Sequence, residues 1–275
     1  MQVITSPQAM TAWSLEQWAA GRRVGFVPTM GYLHQGHASL VDLAGNHADQ
    51  VVVSIYVNPL QFGPDEDLDR YPRDTQGDLA TCERHGAAVV FMPSTLYPPG
   101  FGTSVSVPGL SQGLCGANRP GHFEGVATVV ARLFGIVRPH MAVFGEKDFQ
   151  QLAIIQRMTE DLALGVEIVP GPLVRDADGL ALSSRNRYLG PDQRRRALSL
   201  SRALRAMRAS KLPQVAALRQ LGLDLLEVDE LDYLEVVCAR SLEPLEHLDR
   251  PARAVLAARV GSTRLIDGMA LEPRP

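Results

Sequence analysis

Two histidines lie three residues apart in a glycine-bearing segment, G-Y-L-H-Q-G-H, where they could bind phosphate. His34 and His37 follow a short apolar run at 24–27 and precede an apolar-periodic segment that predicts a helix. A helix N-terminus after a strand and a turn attracts anions, because main-chain amides and about half a positive charge point at the ligand. Imidazole N–H groups add further donors to phosphate oxygens. We therefore predict a nucleotide-binding turn here, with His37 in the first turn of the helix.

A metal ion is the alternative ligand for this histidine pair. Metal-binding histidines on one helix usually lie four residues apart and need a third ligand nearby. The spacing of three and the flanking Gly31 and Gly36 favour phosphate, so we predict no metal centre. The loop at 58–73 is rich in proline, glycine and charge, which is typical of a lid or binding loop. We expect a solvent-facing surface, not a metal cluster, from its acidic residues Asp65, Glu66, Asp67 and Asp69.

Lysine is almost absent from this chain. Only Lys147 and Lys211 accompany the arginines in a total of 27 basic residues. Lys211 lies in R-A-S-K-L-P, where an exposed helix end is expected. Lys147 lies in F-G-E-K-D, directly after an apolar run, where a compact ammonium group could contact phosphate. By itself G-E-K-D is equally typical of an exposed charged turn.

Two further motifs remain ambiguous when taken alone. Arg119 and His122, in R-P-G-H-F, bring a guanidinium and an imidazole to a predicted helix start. Either could serve a site, or His122 could be a structural hydrogen-bond donor, so we leave their role open. In L-S-S-R, Ser183 or Ser184 could face a ligand or could cap a helix.

The elements that must position these residues alternate between strand and helix. Val-rich and apolar-periodic stretches predict strands at 24–27, 51–57, 87–92, 141–144 and 166–169, and helices at 7–20, 37–48, 75–85, 124–137 and 149–162. Pro28 should end the first strand, since proline has no N–H to donate. The alternation predicts an α/β fold with a doubly wound sheet of five parallel strands. Ligands bind at the carboxyl ends of such strands, where both the H-Q-G-H and G-E-K-D turns occur.

The character of the sequence changes after Pro170-Gly171-Pro172. The second part contains a predicted arginine-rich helix, a further helix and three strands, at 191–209, 213–222, 231–237, 254–260 and 264–266. Gly261-Ser262 predicts a hairpin turn between the last two strands. We therefore divide the chain into a first domain at 1–172 and a smaller α+β domain at 173–275.

Composition places the chain among ordinary globular proteins. It has 275 residues, 45% hydrophobic and 21% charged, and a formal net charge of −3. This charge does not indicate a nucleic-acid or membrane surface. Three widely spaced cysteines imply neither a disulfide framework nor a zinc knot. The N-terminus lacks a basic-then-apolar signal pattern and no apolar run reaches membrane-spanning length, so we expect a cytoplasmic protein.

Five co-linear motifs together resemble one enzyme family. They are V-P-T-M-G-Y-L-H-Q-G-H, S-I-Y-V-N-P-L-Q-F, R-P-G-H-F-E-G-V, F-G-E-K-D-F-Q-Q-L and G-L-A-L-S-S-R-N-R-Y-L. In this order and spacing they are similar to the pantothenate synthetase (pantoate–β-alanine ligase) family. The resemblance extends over nearly all of the first 190 residues and is less distinctive beyond them, apart from R-L-I-D near the end. Asn118 stands where many relatives have a small residue.

The resemblance implies a ligation of pantoate and β-alanine in two half-reactions. Pantoate attacks the α-phosphorus of ATP to give pantoyl adenylate and pyrophosphate, and β-alanine then displaces AMP to give pantothenate. It also implies a Rossmann-like nucleotidyltransferase domain that binds nucleotide and pantoate, a smaller C-terminal covering domain, Mg²⁺ with ATP, and a homodimer. The partners expected are small molecules, with no nucleic acid and no membrane.

The resemblance also implies roles for individual residues. The catalytic group would be His34, His37, Lys147 and Arg185, with His37 as proton donor. Gln61 and Gln151 would form part of the substrate site for pantoate and β-alanine, and both would hold pantoate. The ATP-binding residues would be Met30, Gly31, Tyr32, Leu33, His34, Gln35, Gly36, His37, Gly145, Glu146, Lys147, Asp148, Val174, Leu182, Ser183, Ser184 and Arg185.

Two other kinds of protein fit part of the pattern. Another nucleotidyltransferase, or the core of a class I aminoacyl-tRNA synthetase, would share the H-x-G-H-type turn. The synthetase would need an anticodon-binding region, for which 275 residues leave little room. A non-catalytic nucleotide-binding module would need neither phosphate-facing groups after several strands nor a second domain.

Overall fold

The computed structural model describes residues 1–64, 66 and 68–274. The chain forms two compact units. The first contains Met1–Gly145 and Ile154–Pro172, and the second contains Glu146–Ala153 and the residues from Leu173 onward. The segment Glu146–Ala153, which we had placed in the first domain, therefore groups with the second unit. Among the described residues, no helix has both the length and the apolar character needed to cross a membrane.

The first unit alternates strands and helices along the chain. Its strands are β1 (Gln2–Ile4), β2 (Val24–Thr29), β3 (Gln50–Ile55), β4 (Val89–Phe91), β5 (Met141–Gly145) and β6 (Glu167–Gly171). Its helices are α1 (Pro7–Ala19), α2 (Gln35–Gly45), α3 (Thr75–Arg84), the short α4 (Pro108–Ser111) and α5 (Cys115–Asn118), and α6 (His122–Val137). A 3-10 turn spans Pro59–Gln61. Helix α7 (Phe149–Asp161) begins in the second unit and ends in the first.

Within the described chain, six parallel strands form one sheet in the order β1-β4-β3-β2-β5-β6. The α/β class and the parallel sheet are confirmed, but the expected count of five strands is wrong. The missed strand is β1, which has only three residues and pairs with β4 at the sheet edge. Such a strand is too short to show a period of two. The strand order reverses between β2 and β5, where a doubly wound sheet binds its ligands.

Strand β2 also continues through Pro28, contrary to our prediction. Pro28 is paired in register with Ser54 of β3. The carbonyls of Arg23 and Thr29 accept hydrogen bonds from the β3 side, whereas the carbonyl of Val24 accepts from His140 on the β5 side. The main-chain groups of even-numbered residues in β2, Pro28 among them, therefore point towards β5. The pairing of β2 with β5 ends at Phe26. The missing N–H of proline removes no hydrogen bond to β3.

Apolar side chains between the sheet and its helices form the core of the first unit. A cluster of buried residues joins β2, β3, β4 and β5 to α2 and α3: Val27, Val41, Ala44, Val51, Val53, Cys82, Ala87, Val90, Met141 and Val143. Helix α6 buries residues on most of its surface, as its almost wholly apolar sequence predicted. Helix α6 is thus firmly packed within the first unit and can support the segments that contact it.

Helix α6 approaches the Pro59–Gln61 turn so closely that only glycine fits at position 125. A Cβ added to Gly125 would overlap the Leu60 carbonyl oxygen and would lie 2.7 Å from the Gln61 nitrogen. The Gly125 carbonyl in turn accepts a hydrogen bond from the buried Asn58 amide at 3.1 Å. The main chain of the turn is therefore held against the helix.

The second unit is built on an antiparallel sheet. Its strands β7 (Glu230–Cys238), β8 (Ala252–Val260) and β9 (Thr263–Leu271) pair in that order. Helices α8 (Pro191–Ala209) and α9 (Val215–Leu223) pack on the sheet through a separate apolar core that includes Leu200, Leu204 and Leu256. The predicted α+β character is confirmed, and β9 is longer than the predicted 264–266.

Candidate active site

His34 and His37 cap the N-terminus of α2 with their rings. His34 is the N-cap residue in an extended conformation, and its Nδ1 accepts a hydrogen bond from the Gly36 N–H at 3.1 Å. The Nδ1 of His37 accepts from the His34 N–H at 3.3 Å. The two ring centroids lie 4.1 Å apart. The predicted position of His37 in the first turn of the helix is confirmed.

These caps determine where each neutral ring carries its proton. A ring nitrogen that accepts a main-chain N–H must be unprotonated, so the imidazole hydrogen is at Nε2. Both residues are therefore oriented as Nε2–H donors at the positive end of a helix dipole. Two such donors, added to main-chain amides, suit an anionic ligand such as phosphate. No group of three His, Cys, Asp or Glu suited to a metal ion occurs in the described chain.

A buried carboxylate supports the turn before the helix. The two Asp78 carboxylate oxygens accept from the main-chain N–H groups of Tyr32 at 2.8 Å and Leu33 at 2.6 Å. Gly31 and Tyr32 have φ values of 83° and 53°, and a Cβ on Gly31 would lie 2.9 Å from an Asp78 oxygen. Burial raises the pKa of the Asp78 carboxyl, while the two amide hydrogen bonds oppose that rise. Asp78 thus holds the left-handed turn that presents His34.

Gln61, predicted to bind substrate, is fixed through both ends of its side-chain amide. Its Oε1 accepts from Asn58 Nδ2 at 3.1 Å, and its Nε2 donates to the Met30 sulfur at 3.1 Å. Asn58 is also the N-cap of the 3-10 turn, and its Oδ1 accepts from the Tyr97 hydroxyl at 2.7 Å. The structure thus brings Met30 and Gln61 together within the first unit.

Arg119 and His122 lie beside the same turn. His122 Nδ1 lies 2.8 Å from the Gln61 carbonyl oxygen, and Arg119 makes a two-point ion pair with Glu66. Burial alone would raise the pKa of the Glu66 carboxyl, but hydrogen bonds and charge from Arg119 bring it below its usual value. The expectation of a solvent-facing Glu66 is wrong, because only 26% of its side chain is exposed. Asp69 is exposed, whereas Asp65 and Asp67 lie outside the described residues.

The second unit holds the G-E-K-D turn as a 3-10 segment, Glu146–Asp148. Lys147 Nζ lies 3.5 Å from the Asp148 carboxylate, and its side chain is 23% exposed. Arg253, itself buried, donates to the Glu146 carboxylate at 3.0 Å and to the Glu146 carbonyl at 3.3 Å. The guanidinium also lies 4.6 Å from the centre of the Phe149 ring. Gln151 follows in the first turn of α7, as predicted.

A second group of predicted residues also lies in this unit. The Leu182 N–H donates to the Val174 carbonyl at 3.0 Å, so these two residues are adjacent in a short hairpin. Arg175 anchors that hairpin through a two-point ion pair with the buried Asp267 of β9. Ser183 accepts from the Arg185 N–H at 3.3 Å and caps the 3-10 segment Ser184–Tyr188. The helix-cap alternative for this motif is thus observed for Ser183.

Comparison with known proteins identifies the family. The family model for pantoate-beta-alanine ligase matches residues 2–270. The chain belongs to this family. A pantothenate synthetase from Heliobacterium modesticaldum is 52% identical over 282 residues, covering 99% of this chain and 100% of the relative. The resemblance found in the motifs is confirmed.

Solved structures of the pantoate–β-alanine ligase family agree with this fold. A pantothenate synthetase structure from Thermus thermophilus has a TM-score of 0.93 and 46% identity, covering 99% of this chain and 100% of the other. A pantoate-beta-alanine ligase from Francisella tularensis, described as complexed with beta-gamma ATP and beta-alanine, has a TM-score of 0.81 and 31% identity over 98% and 97% of the chains. The family's activity is the ATP-dependent condensation of pantoate with β-alanine, and the predicted ligase class is confirmed.

Several residues that support this site were not predicted from the sequence. Asn58 donates to Gln61, Asp78 accepts from Tyr32, and Tyr97 donates to Asn58. The N-P-L-Q motif contained Asn58, whose position before proline is typical of a cap, and this signal could have been used. Asp78 and Arg253 gave no comparable signal, because their partners are distant in sequence.

Proposed function

We propose that this protein makes pantothenate through a pantoyl adenylate, releasing pyrophosphate in the first half-reaction and AMP in the second. The proposal depends on the reciprocal cap of His34 and His37, which leaves two imidazole Nε2–H donors at the N-terminus of α2. Membership of the pantoate-beta-alanine ligase family identifies pantoate as the acid and β-alanine as the amine.

The first half-reaction requires charge stabilisation more than acid–base catalysis. The carboxyl group of pantoate, with a pKa of about 4, is ionised at pH 7 and can attack the α-phosphorus without a general base. Transfer then depends on in-line positioning and on neutralising the pyrophosphate that leaves. In the first unit His34 and His37 donate to phosphate oxygens, with His37 as proton donor. In the second unit Lys147 and Arg185 supply positive charge.

The ATP-binding residues we propose are those expected from the family resemblance. In the first unit they are Met30 to His37 and Gly145, and the Asp78 carboxylate keeps their main chain in a binding conformation. In the second unit they are Glu146 to Asp148, Val174 and Leu182 to Arg185. The hairpin hydrogen bond between Val174 and Leu182 supports their assignment as one group.

The second half-reaction transfers the acyl group from AMP to β-alanine. The amine nitrogen attacks the acyl carbon, the bond from that carbon to the phosphate oxygen breaks, and AMP leaves with the bonding electrons. The ammonium group of β-alanine must lose one proton to solvent before it attacks, and the second proton, lost as the amide forms, can pass to the departing AMP phosphate or to solvent. Gln61 and Gln151 hold pantoate, because a primary amide can pair with both a hydroxyl and a carboxylate oxygen.

Mg²⁺ accompanies ATP in this proposal. The residues fit such an ion, because Mg²⁺ is commonly held by one or two carboxylates together with substrate phosphates and does not need a complete protein cage. The Asp148 carboxylate, 47% exposed beside Lys147, is suited to that role. The ion would neutralise charge on the phosphates.

The products of the reaction test this mechanism. ATP and labelled pyrophosphate should exchange when pantoate is present and β-alanine is absent, since adenylate formation is reversible. Addition of β-alanine should yield AMP and pyrophosphate in equal amounts with pantothenate. Release of ADP and phosphate would overturn the proposal, because it would show an acyl phosphate in place of an adenylate. Exchange without pantoate would show that another acid is the substrate.

The assembly and the location are also proposals. We propose a homodimer and a cytoplasmic enzyme, both as the family resemblance and the sequence led us to expect. We also propose the expected division of function, with a nucleotide- and pantoate-binding domain at 1–172 and a covering domain at 173–275, although the segment Glu146–Ala153 groups structurally with the second unit. Light scattering after size-exclusion chromatography should give twice the chain mass of 29.9 kDa.

A further inference from the structure

A cluster of three side chains, two of which contact the carbonyl oxygen of Gln61, lies beside the Pro59–Gln61 turn. We call it the carbonyl cluster, and it consists of Glu66, Arg119 and His122, all in the first unit. His122 Nδ1 lies 2.8 Å and Arg119 Nη2 3.4 Å from the Gln61 oxygen. Arg119 Nη1 lies 2.9 Å from His122 Nε2, and Arg119 Nε and Nη2 lie 2.7 Å and 2.5 Å from the two Glu66 oxygens.

The direction of every hydrogen bond in this cluster follows from its atom types. A carbonyl oxygen only accepts, so His122 Nδ1 must donate to Gln61. A guanidinium only donates, so His122 Nε2 must accept from Arg119. His122 is therefore a neutral ring with its hydrogen at Nδ1, the opposite tautomer from His34 and His37. Glu66 accepts both remaining Arg119 bonds and so orients the guanidinium.

The turn that carries Gln61 has long main-chain hydrogen bonds within itself. Its own hydrogen bonds, from Gln61 N–H to the Asn58 carbonyl and from Phe62 N–H to the Pro59 carbonyl, are long at 3.4 Å and 3.3 Å. The His122 contact at 2.8 Å is shorter, and it comes from the first residue of the largely buried helix α6. The His122 imidazole thus adds a direct connection between the Gln61 carbonyl and helix α6, beside the contacts that Gly125 makes with the same turn.

We propose that His122 is a positioning residue for pantoate: it holds the Gln61 main chain, and thereby aims the Gln61 amide. The proposal rests on the proposed role of Gln61 in pantoate binding. Asn58 and Met30 orient the end of the side chain, and His122 fixes where that side chain starts. Misplacing a binding group by about 1 Å can cost on the order of a hundredfold in rate, which makes such support significant.

Two substitutions separate the two hydrogen bonds of His122. His122→Asn places an amide near the position of Nδ1 and can still donate to the Gln61 carbonyl, but it does not reach Arg119. His122→Gln reaches the position of Nε2 and can still accept from Arg119, but it removes the donor to Gln61. We expect His122→Gln to lower kcat/KM for pantoate about 10- to 100-fold while the KM for ATP stays within about twofold. His122→Asn should retain most of the kcat/KM for pantoate.

The same two substitutions in a Gln61→Ala background show whether His122 acts through Gln61. We expect His122→Gln to cause little further loss there, because the amide that it positions is gone. Equal effects of the Asn and Gln variants, additive losses in the double variant, or parallel changes in ATP and pantoate kinetics would overturn the proposal. Unchanged pantoate kinetics in Gln61→Ala alone would instead overturn the proposed role of Gln61. Circular dichroism and thermal melts confirm that each variant is folded.

Discussion

At the scale of single residues, the site depends on which nitrogen of each histidine carries the hydrogen. Main-chain N–H groups donate to Nδ1 of His34 and His37, so these rings present Nε2–H. A carbonyl accepts from Nδ1 of His122, so that ring presents the unprotonated Nε2 to Arg119. The same residue type therefore serves as a donor to the proposed phosphate in one place and as a support for the main chain in another.

We predict that the cap and the phosphate donor of the histidine pair can be separated. Asparagine is a favoured N-cap residue and glutamine at the third helical position completes a capping box, so His34→Asn and His37→Gln should preserve the helix start. In His34→Asn the Nε2–H is lost, and the rate of adenylate formation in a single turnover should fall about 10²- to 10³-fold. In His37→Gln the glutamine side-chain amide is used in the cap and cannot also donate to phosphate. We therefore expect a similar loss of adenylation rate.

The control for this prediction lies at the other end of the same helix. His47 is exposed just beyond α2, so His47→Asn makes the same chemical change away from the proposed site. Its adenylation rate should equal that of the wild type. A normal rate in His34→Asn would show that the cap alone is needed. Activity that followed added zinc would support the metal alternative for this pair.

At the scale of elements, the turn between β2 and α2 is shaped by a residue from another helix. Asp78, in the first turn of α3, is 3% exposed and accepts two main-chain hydrogen bonds from Tyr32 and Leu33. The left-handed turn costs free energy, and these bonds help to offset that cost. Helix α3 thus contributes to the site although none of its residues was predicted to bind a ligand.

We predict that Asp78→Asn impairs both stability and catalysis. The asparagine NH₂ group would face a main-chain N–H at the distance of a former hydrogen bond, so one buried donor would be left without an acceptor. Such a group typically costs about 1–3 kcal/mol of folding free energy. We expect a lower unfolding midpoint in urea and at least about a tenfold slower adenylate formation, since the turn presents His34.

Asp74→Asn provides the matched control for Asp78→Asn. Asp74 caps the same helix by accepting from the Gly77 N–H at 3.0 Å, and asparagine can cap equally well. This variant removes the same charge without altering the Asp78 contacts, and it should keep nearly normal rates. An Asp78→Asn variant with wild-type rates and stability would show that the turn holds its shape without the carboxylate.

At the scale of the whole molecule, two units have cores of different construction. The first has a parallel sheet with helices packed on buried valines, and the second has an antiparallel sheet covered by α8 and α9. The arginines of the second unit are largely used in ion pairs, such as those that Arg195 and Arg202 make with Glu227. Lysine occurs at only two positions in all 275 residues, and one of them is Lys147.

We predict that this composition makes Lys147 accessible to a simple labelling test. In a Lys211→Arg variant, Lys147 and the N-terminal amine are the only amines left in the chain. Lys211 is exposed at a helix end and its replacement should leave activity unchanged. An amine-acylating reagent should then inactivate the enzyme in proportion to the acylation of Lys147, measured by peptide mass spectrometry. ATP should slow that acylation at least about tenfold at 10 times its dissociation constant, since only the unliganded fraction reacts.

The result for the arginine variant completes this test. A planar guanidinium does not reproduce a compact ammonium group, so Lys147→Arg should adenylate pantoate slowly. Full activity after acylation of Lys147, or acylation unaffected by ATP, would remove Lys147 from the ATP site. Near-normal rates in Lys147→Arg would show that positive charge alone is required.

Local patterns in the sequence determined most of the elements and the identity of the family. Periodicity and turn residues act over a few positions, so helices such as α7 and α8 were predicted within one residue, and His37 was correctly placed in the first turn of α2. The three-residue strand β1 and the passage of β2 through Pro28 were missed, because both depend on which neighbour a strand pairs with.

Only the tertiary structure determined which residues support the candidate site. Asp78 lies 46 residues from Tyr32, Glu66 lies 53 from Arg119, and Gln61 lies 61 from His122. Contacts across such separations leave no local period in the sequence, since they arise only when the folded main chain brings a donor and an acceptor together.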